Sequence, residues 1–463
     1  MKKSLQSSFL IILFIAVIAS VTGCSKNDNN TLPIPIPAIN PIISSLTSTS
    51  VIVGARTGGS VYVTANGICY SATNTTPTIG DTFLSDTVGA RWQNKIIGLI
   101  PNTTYYVRAY VTNDAGTGYS DVITFKTLAT NAVPTGTVTT FAGSLAGTGG
   151  FAEGTGTSAL FNGPQNISFN AATGLLYVSD SFNNAIRNIT TSGETSTMIN
   201  TGLGYANGDA ASALFYGPRG ISFDTQGNAY VADLGNNVIR KITTGGTVST
   251  IAGNALVGYL DGTAAKAEFY NPTATAVDAT GNVYVVDRSN NLIRKITPAG
   301  VVSTFVGYRP PAGYAQSTVP GYIDGDATTA AFNYPVAIAI DASGNLYVAD
   351  YRNNAIRMVT PAGNVTTYAG GLNFPALLGS PNGIAIDAQG NMFISDNNGR
   401  ILEITKNKIL YVLAGANASG YTDGVGSAAR FSNPQSLTLD GQGNLYVADF
   451  SNNVIRKVTV AVQ

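Results

Sequence analysis

The sequence predicts an all-β protein in which a six-bladed β-propeller is preceded by a small β-sandwich. Three observations support this fold class. One unit recurs six times along the C-terminal two-thirds of the chain, and each unit contains several strand patterns. The composition, with 52 Gly and 23 Tyr among 463 residues, suits turns and aromatic-rich strands. Hydrophobic residues make up 44% of the chain and charged residues only 11%, so a large core can be buried.

Each repeat is marked by an aspartate that opens the same short motif. Five copies read Asp-x-x-Asn-Asn-x-Ile-Arg, and the copy at Asp396 is shortened. The six aspartates are Asp180, Asp233, Asp287, Asp350, Asp396 and Asp449, at spacings of 53, 54, 63, 46 and 53 residues. Two strand patterns joined by a tight turn precede each aspartate, and further strand patterns follow it. Four antiparallel strands in each of six units predict six propeller blades.

The recurring motif resembles the NHL repeat, and the resemblance covers residues 137 to 463. It implies a propeller whose loops can present a binding face. The last unit stops after Val458 without a fourth strand, while a spare strand from Thr137 to Gly143 precedes the first unit. We expect this spare strand to complete the last blade, because closing the ring removes two open sheet edges.

A separate domain is predicted over residues 42 to 128, followed by a linker over 129 to 136. The stretch from Gly98 to Tyr110, with the closing Thr-Phe-Lys-Thr segment, resembles a fibronectin type III domain, which implies a β-sandwich of about ninety residues. Cys69 lies in a strand pattern, and we expect it to be a small buried residue rather than a reactive thiol. We expect the single tryptophan of the chain to pack in the core or at its edge.

Residues 1 to 24 have the features of an export signal. Two lysines precede an apolar run from Phe9 to Val21, which ends in Val-Thr-Gly-Cys. This ending resembles the lipobox of bacterial lipoproteins, which implies that Cys24 is lipidated and that acyl chains hold the protein to a membrane. Residues 25 to 41 are first polar and then proline-rich, which predicts a semi-rigid linker. We therefore expect an exported protein anchored in the cell envelope, at the outer membrane or the cell surface.

The composition also excludes several kinds of chemistry. The chain has no histidine, which excludes histidine acid–base catalysis, Ser-His-Asp triads and histidine metal sites. The 25 basic and 25 acidic residues cancel, so no basic surplus favours nucleic acid as a partner. We predict no catalytic residue, no resident metal and no cofactor. Calcium bound through aspartate, asparagine and glutamate oxygens stays chemically open.

The repeated residues have two interpretations. Tyrosine, aspartate, asparagine and arginine gather on one face of the propeller, where they could bind sugar hydroxyls. Alternatively they are structural: the asparagine pairs satisfy the turn backbone, and the repeated arginine pairs with the repeated aspartate inside the sheet. We favour the structural interpretation, because a residue found in five or six blades usually supports the fold.

A ligand site is predicted where the repeat is broken. The link before the fourth blade is lengthened, the link before the fifth is shortened, and a notch between them would interrupt an even rim. The candidate ligand-binding residues are Arg309, Tyr314, Tyr322, Asp350, Arg352, Asn397 and Arg400.

The tether, linker, sandwich and propeller in series resemble the organisation of Bacteroidota surface glycan-binding lipoproteins. This resemblance implies an envelope binding module, for polysaccharide, acting through the loop face of the propeller. A protein–protein interaction module or a structural scaffold at the cell surface is the alternative. A calcium-dependent enzyme similar to propeller lactonases or lyases is a second alternative.

Overall fold

The computed structural model describes residues 34–39, 43–57, 62–130, 133–199, 202–309, 319–371 and 377–462. Within these ranges the regular elements are β-strands and one-turn 3₁₀-helices, with no α-helix, which confirms the predicted all-β class. In the same ranges we find no helix with the length and apolar character needed to cross a bilayer. The predicted export signal and the lipidated Cys24 lie outside the described residues, so both stay predictions.

Two sheets form the N-terminal β-sandwich. Its nine strands are β1 (Pro37–Ile39), β2 (Ile43–Ser44), β3 (Ser50–Thr57), β4 (Ala65–Ser71), β5 (Thr82–Ser85), β6 (Arg91–Ile97), β7 (Thr104–Asn113), β8 (Gly116–Tyr119) and β9 (Ile123–Lys126). In one sheet, β3 pairs with β6 on one side and with β1 and β2 on the other. The second sheet has the order β5-β4-β7, with β8 and β9 along the far edge of β7. Strand β1 belongs to the segment predicted as linker, and main-chain pairing with β3 draws it into the sandwich.

Side chains from both sheets meet in one core. Val51 and Trp92 from the first sheet cluster with Tyr105 and Phe125 from the second. The rings of Tyr105 and Phe125 stack with centroids 5.7 Å apart. Cys69 is fully buried, and burial raises the pKa of its thiol to about 11, as expected for an unreactive core residue. Membership of the fibronectin type III family stays a prediction.

Six antiparallel sheets then form the blades of a propeller around a central channel. The chain enters the propeller through β10 (Pro134–Ala142) and β11 (Gly154–Thr155). Blade 1 contains β12 (Pro164–Asn170), β13 (Leu175–Asp180), β14 (Ala185–Ile189) and β15 (Glu194–Ile199); blade 2 contains β16 (Pro218–Phe223), β17 (Ala229–Asp233), β18 (Val238–Ile242) and β19 (Val248–Ala252); and blade 3 contains β20 (Gly262–Thr263), β21 (Pro272–Val277), β22 (Val283–Asp287), β23 (Leu292–Ile296) and β24 (Val301–Val306). Blade 4 contains β25 (Pro335–Ile340), β26 (Leu346–Asp350), β27 (Ala355–Val359) and β28 (Val365–Gly370); blade 5 contains β29 (Pro381–Ile386), β30 (Met392–Asp396), β31 (Arg400–Ile404) and β32 (Ile409–Gly415); and blade 6 contains β33 (Gly424–Val425), β34 (Pro434–Leu439), β35 (Leu445–Asp449) and β36 (Val454–Val462). The innermost strands of blades 1 to 6 are, in order, β12, β16, β21, β25, β29 and β34.

The ring is closed by pairing between its two ends. Strand β10 runs antiparallel to β36, with Thr137 directly opposite Thr459. Strand β33 pairs with the other edge of β10, so β10 has a partner on both sides. The first strand of the propeller thus supplies an outer strand to its last blade, and neither end presents an open sheet edge there.

Apolar side chains fill the spaces between neighbouring blades. Five links each contribute one fully buried ring, from Phe161, Phe215, Phe269, Phe332 and Phe431. Phe332 clusters with Tyr284 of blade 3 and with Val348 of blade 4. Truncating a ring of this kind typically costs about 3 to 5 kcal/mol, so these side chains hold the blades at fixed spacing.

The sandwich and blade 5 share one continuous sheet. Strand β2 pairs in parallel with β32, with Ile43 opposite Ile409. The Ile43 N–H donates to the carbonyl of Lys408 at 3.0 Å. The Ile409 side chain packs against the sandwich core and also against the core between blades 5 and 6. A main-chain ladder and a shared apolar contact therefore fix the sandwich to the propeller.

Blade 5 also buries a carboxyl group without a basic partner among the described residues. Glu403 lies on β31 opposite Phe393, at the place that Lys241 takes opposite Tyr230 in blade 2. Only 9% of Glu403 is exposed. Burial, and then the charge of Asp387, raise the pKa of the Glu403 carboxyl to about 7.

Glu403 should therefore make the protein less stable as the pH rises. Its pKa in the unfolded chain is about 4.3, so between about pH 4.5 and 7 the folded state holds a proton that the unfolded state has lost. We expect the contribution of Glu403 to the free energy of unfolding to fall by about 3 kcal/mol over that interval and to level off above it. Urea denaturation of the wild type and of Glu403→Gln at pH 5 and pH 8 measures this contribution as a difference. The loss should be about 3 kcal/mol smaller in Glu403→Gln, and the buried aspartates of the motif, such as Asp350, should contribute equally in both proteins. An equal loss in both proteins would assign the pH dependence to other groups.

Candidate functional site

Five blades contain the same buried ion pair. In each, Nη1 of the repeated arginine lies 2.8 to 3.1 Å from Oδ2 of the repeated aspartate, and both side chains are fully buried. The pairs are Asp180–Arg187, Asp233–Arg240, Asp287–Arg294, Asp350–Arg357 and Asp449–Arg456. Each pair joins the second and third strands of its blade. This confirms that the repeated arginine pairs with the repeated aspartate inside the sheet.

The two asparagines of the motif join consecutive parts of the chain. Asn353 donates from Nδ2 to Asp350 and to the carbonyl of Gly321 in the preceding link, both at 2.8 Å. Asn354 adopts the left-handed conformation with φ 51° and accepts a bond from the N–H of Ser380, at the start of the next blade, at 2.9 Å. Equivalent bonds to the next blade are made by Asn184, Asn237, Asn291 and Asn453. The asparagine pairs thus satisfy turn backbone, as predicted.

The links before blades 3, 4 and 6 contain a Gly-Tyr-x-Asp-Gly motif, at residues 258–262, 321–325 and 420–424, and this motif adds contacts to the buried ion pair. The guanidinium of Arg357 lies between the rings of Tyr322 and Phe332, 5.1 and 5.2 Å from their centroids. Its Nη2 donates to Asp324 at 2.7 Å. The Tyr322 hydroxyl accepts a bond from Thr367 at 3.1 Å. Tyr322 and Asp350, both predicted to bind ligand, therefore have their polar groups engaged in the blade itself.

The structure does not bring the predicted ligand-binding residues together. Tyr314 lies outside the described residues. Arg400 donates from Nε to Asp396 at 2.9 Å, because blade 5 has Leu402 where the other blades have arginine and Arg400 takes over the ion pair. Asn397 borders a cavity of 270 Å³ together with residues 417 to 419 and 431 to 433 of the link before blade 6.

Two predicted residues have exposed positions on the loop face. Arg309 pairs with Asp261 at 2.8 Å, and its guanidinium lies 4.9 Å from the centroid of the Tyr259 ring. It lines a cavity of 380 Å³ at blade 3, shared with Tyr270. Arg352 is exposed on the loop of blade 4. Arg309 and Arg352 therefore line different surfaces, one at the rim of blade 3 and one nearer the axis, and the notch stays a prediction because residues 310–318 and 372–376 lie outside the described ranges.

A channel of 300 Å³ lies on the propeller axis and is lined by the innermost strands of all six blades. Each of these strands has a β-bulge directly after its first proline, at the end nearest the motif loops. The residues that follow these prolines line the channel, and they are Gln165, Arg219, Thr273, Val336, Asn382 and Gln435. A bulge redirects a side chain, and here six bulges present six side chains at the channel mouth.

The mouth of the channel is chemically asymmetric. We define the mouth as the six residues that follow the first proline of each innermost strand, together with the two variable positions of each Asp-x-x-Asn motif. On the side of blades 6 and 1, Phe182 and Phe450 pack edge to face with centroids 5.5 Å apart. On the side of blades 3 and 4, Arg288 and Arg352 lie over the ring of Tyr334, 4.7 and 4.4 Å from its centroid.

The described lining of the channel contains hydrogen-bond donors and acceptors but no carboxylate. Its described lining offers amides, hydroxyls, apolar groups and the guanidinium of Arg219. Across the described ranges, no three acidic, cysteine or histidine side chains gather where they could hold a metal ion. Calcium prefers several carboxylate oxygens, so this set of groups does not suit it. Amides and hydroxyls instead suit a neutral or anionic polar ligand.

Comparison with known proteins agrees with this architecture. Residues 269–296 and 332–357 match the family model of the NHL repeat. The propeller contains NHL repeats. A protein of unknown function from Bacteroides thetaiotaomicron has a TM-score of 0.53 and 17% identity, over 95% of this chain and 100% of that one. An auxiliary nutrient binding protein from Bacteroides ovatus has a TM-score of 0.51 and 16% identity, over 93% of this chain and 99% of that one. At these identities the similarity is one of fold.

The relatives found by sequence share only part of their length with this chain. Protein SUPPRESSOR OF QUENCHING 1 from Arabidopsis thaliana is 26% identical over 67% of this chain, and this chain spans only 26% of that relative. Solved propellers with lower TM-scores, 0.43 and 0.46, include a streptogramin B lyase and a putative gluconolactonase. At that level of similarity nothing follows about catalysis by this chain, so the absence of enzyme activity stays a prediction.

The residues at the mouth were missed by reasoning from the sequence, apart from Arg352. The signal that could have found them is the variation within the motif. In the five blades with the complete motif, the pair of residues between the aspartate and the first asparagine differs from blade to blade, as does the sequence around the inner proline. Positions that vary inside a fixed scaffold are where a propeller can build an individual site.

Proposed function

We propose that this protein is a binding module that holds a soluble polysaccharide at the mouth of the propeller channel. The observation that carries the proposal is the asymmetry of the mouth. The repeated polar residues are engaged in the fold, whereas residues that differ between the blades, such as Arg219 and Arg352, lie around a single opening. The favoured side of the opening is the one formed by blades 2 to 4, where tyrosine and arginine are concentrated.

Tyrosine rings beside this opening support a carbohydrate ligand. Tyr270 is 40% exposed and Tyr216 is 50% exposed, and each directly precedes the turn that leads into an inner strand. Tyr351 lies next to Tyr334, with ring centroids 6.3 Å apart. Exposed aromatic rings can stack on sugar faces, while amides such as Gln165 fix hydroxyl groups. The Bacteroides ovatus propeller is called an auxiliary nutrient binding protein, and we extend a binding role to this chain on that basis.

We also propose that binding takes place in the cell envelope, with the protein held by a lipid on Cys24. The sequence before Ser25 carries this part of the proposal. A protein partner on the same loop face is the alternative, and a channel mouth with exposed tyrosine and arginine would also suit it.

Affinity gel electrophoresis tests the proposed function. Full-length protein in non-ionic detergent is run through native gels that contain neutral and acidic soluble polysaccharides, one per gel. We expect at least one polysaccharide to retard the protein. Tyr270→Ala and Tyr351→Ala should each weaken that retardation by about five- to tenfold, because a stacking surface is lost.

Tyr62→Ala is the matched control, since Tyr62 is 68% exposed on the sandwich, away from the channel. It should leave binding unchanged. Failure of every polysaccharide to retard the protein would refute the proposed function, and equal effects of Tyr62→Ala and Tyr351→Ala would refute the location.

A further inference from the structure

We propose that the ligand is an acidic polysaccharide and that Arg219, Arg288 and Arg352 bind its anionic groups at the channel mouth. This inference rests on the proposed function and specifies the class of ligand. The three arginines come from blades 2, 3 and 4, and all lie on the side of the mouth where exposed tyrosines are concentrated.

Two of the three arginines lie over the same ring. The guanidinium groups of Arg288 and Arg352 lie 4.7 and 4.4 Å from the centroid of Tyr334. Arg219 extends from the bulge of the neighbouring inner strand into the channel lining. Tyr334 itself is held by the hydrogen bond from its N–H to Asn291 at 2.7 Å, so the blade scaffold positions the ring that carries both cations. A pre-formed cationic site of this kind needs little reorganisation to bind an anion.

No carboxylate neutralises these three charges. Within the described ranges, the ion pairs of the propeller involve other basic residues. The aspartates of the same loops, Asp287 and Asp350, are already paired with Arg294 and Arg357. A cluster of guanidinium groups without a neutralising carboxylate is what an incoming oxyanion would complete.

The charges also disfavour one another in the absence of a ligand. Burial, and then the charge of Arg288, lower the pKa of Arg219 to about 10. Burial lowers the pKa of Arg288, and the charge of Arg352 lowers it further. An anion placed among them would relieve this repulsion and would gain charge-assisted hydrogen bonds.

A glycan accounts for the surroundings better than an acidic peptide does. Beside the arginines, the surface presents the exposed rings of Tyr216 and Tyr270 and a second cavity of 380 Å³ at blade 3. Separate pockets with aromatic walls suit successive sugar rings, and carboxylate or sulfate groups along the polymer would reach the arginine cluster. We therefore commit to a polysaccharide and treat an acidic polypeptide as a competing outcome.

The test compares charged and uncharged forms of similar polymers. Full-length protein is run in gels that contain polygalacturonate, alginate, highly methyl-esterified polygalacturonate or poly-glutamate. We expect at least one of the two acidic polysaccharides to bind at least about tenfold more tightly than the methyl ester and than poly-glutamate. Arg288→Gln and Arg352→Gln should each weaken that binding by about tenfold or more.

Two controls separate binding from folding and from net charge. Lys126→Gln removes one exposed positive charge from the sandwich and should leave binding unchanged. The melting temperature of Arg352→Gln should match or exceed that of the wild type, because this change removes a cation from a cluster of like charges.

The outcomes distinguish this inference from the proposed function. If a neutral polysaccharide binds as well as the acidic ones, or if the arginine variants bind like the wild type, the ligand is not held by its charge and only this inference fails. Tighter binding of poly-glutamate would overturn the choice of a glycan. If no polysaccharide of the wider neutral and acidic panel binds, the proposed function fails as well.

Discussion

Replacing Asp350 by alanine is expected to lower the free energy of unfolding of the propeller by about 3 to 5 kcal/mol. Asp350 is fully buried and accepts hydrogen bonds from Asn353 and Arg357, both at 2.8 Å, and from the N–H of Asn333 at 2.7 Å. Its loss leaves the guanidinium of Arg357 buried, with the half-exposed Asp324 as its remaining counter-ion. Burial raises the pKa of Asp350 to about 6, so the comparison should be made by urea denaturation at pH 8, where the carboxylate is ionised.

A double variant separates the two causes of this loss. Adding Arg357→Met to Asp350→Ala removes the buried guanidinium that has lost its buried partner, and we expect it to recover part of the lost stability. A loss below about 1 kcal/mol for Asp350→Ala alone would mean that the buried ion pair is not what holds the blade.

A disulfide across the ring closure is expected to give the largest stabilisation. Thr137 and Thr459 are directly opposite on β10 and β36, both are exposed, and a disulfide between cysteines at these positions would close a loop of roughly 320 residues. The chain-entropy model predicts about 6 kcal/mol for such a loop. Oxidised and reduced Thr137→Cys/Thr459→Cys protein can be compared by urea denaturation.

The matched control is a disulfide inside one blade. Met358 and Thr366 are opposite on β27 and β28, so Met358→Cys/Thr366→Cys closes a short loop, for which the same model predicts about 3 kcal/mol. If the closure disulfide stabilises the protein no more than this control, or fails to form, the two ends of the ring are not paired as described.

The repeat allowed much of the propeller to be predicted because its signals are local. The spacing of the aspartates, the glycine-containing turns and the alternation of strands define each blade without knowledge of its neighbours. The role of Arg357 also followed from its recurrence. Closure by the strand beginning near Thr137 could be inferred by counting strands. The last unit lacked a fourth strand, and this spare strand preceded the first unit.

Other features depend on contacts that no local pattern records. The parallel pairing of Ile43 with Ile409 joins segments far apart in the chain, and nothing in either segment indicates the other. The bulge that directs Arg219 into the channel depends on register between two strands. Arg400 looked available because its motif is irregular, yet it replaces the missing arginine by pairing with Asp396 from a different position.

The channel mouth is a different candidate site from the notch. The notch was predicted from the lengths of the links and stays a prediction, whereas the mouth is formed by residues that differ between the blades. Arg352 belongs to both sets, since it is the one predicted residue whose exposed charge faces Tyr334. A residue that departs from the repeat can have a structural role, as Arg400 does. Such residues must be excluded before the remaining departures are used to predict a functional site.

Hydrogen–deuterium exchange of the full-length protein, with and without the polysaccharide that retards it most strongly, tests the central claim most directly. The account predicts slower exchange on binding at the loops of blades 2 to 4 that surround the mouth, in residues 216 to 220, 287 to 291, 333 to 336 and 350 to 353. The turns at the opposite face, in residues 224 to 228 and 341 to 345, should exchange at unchanged rates. Protection confined to those turns or to the sandwich would contradict a ligand site at the channel mouth.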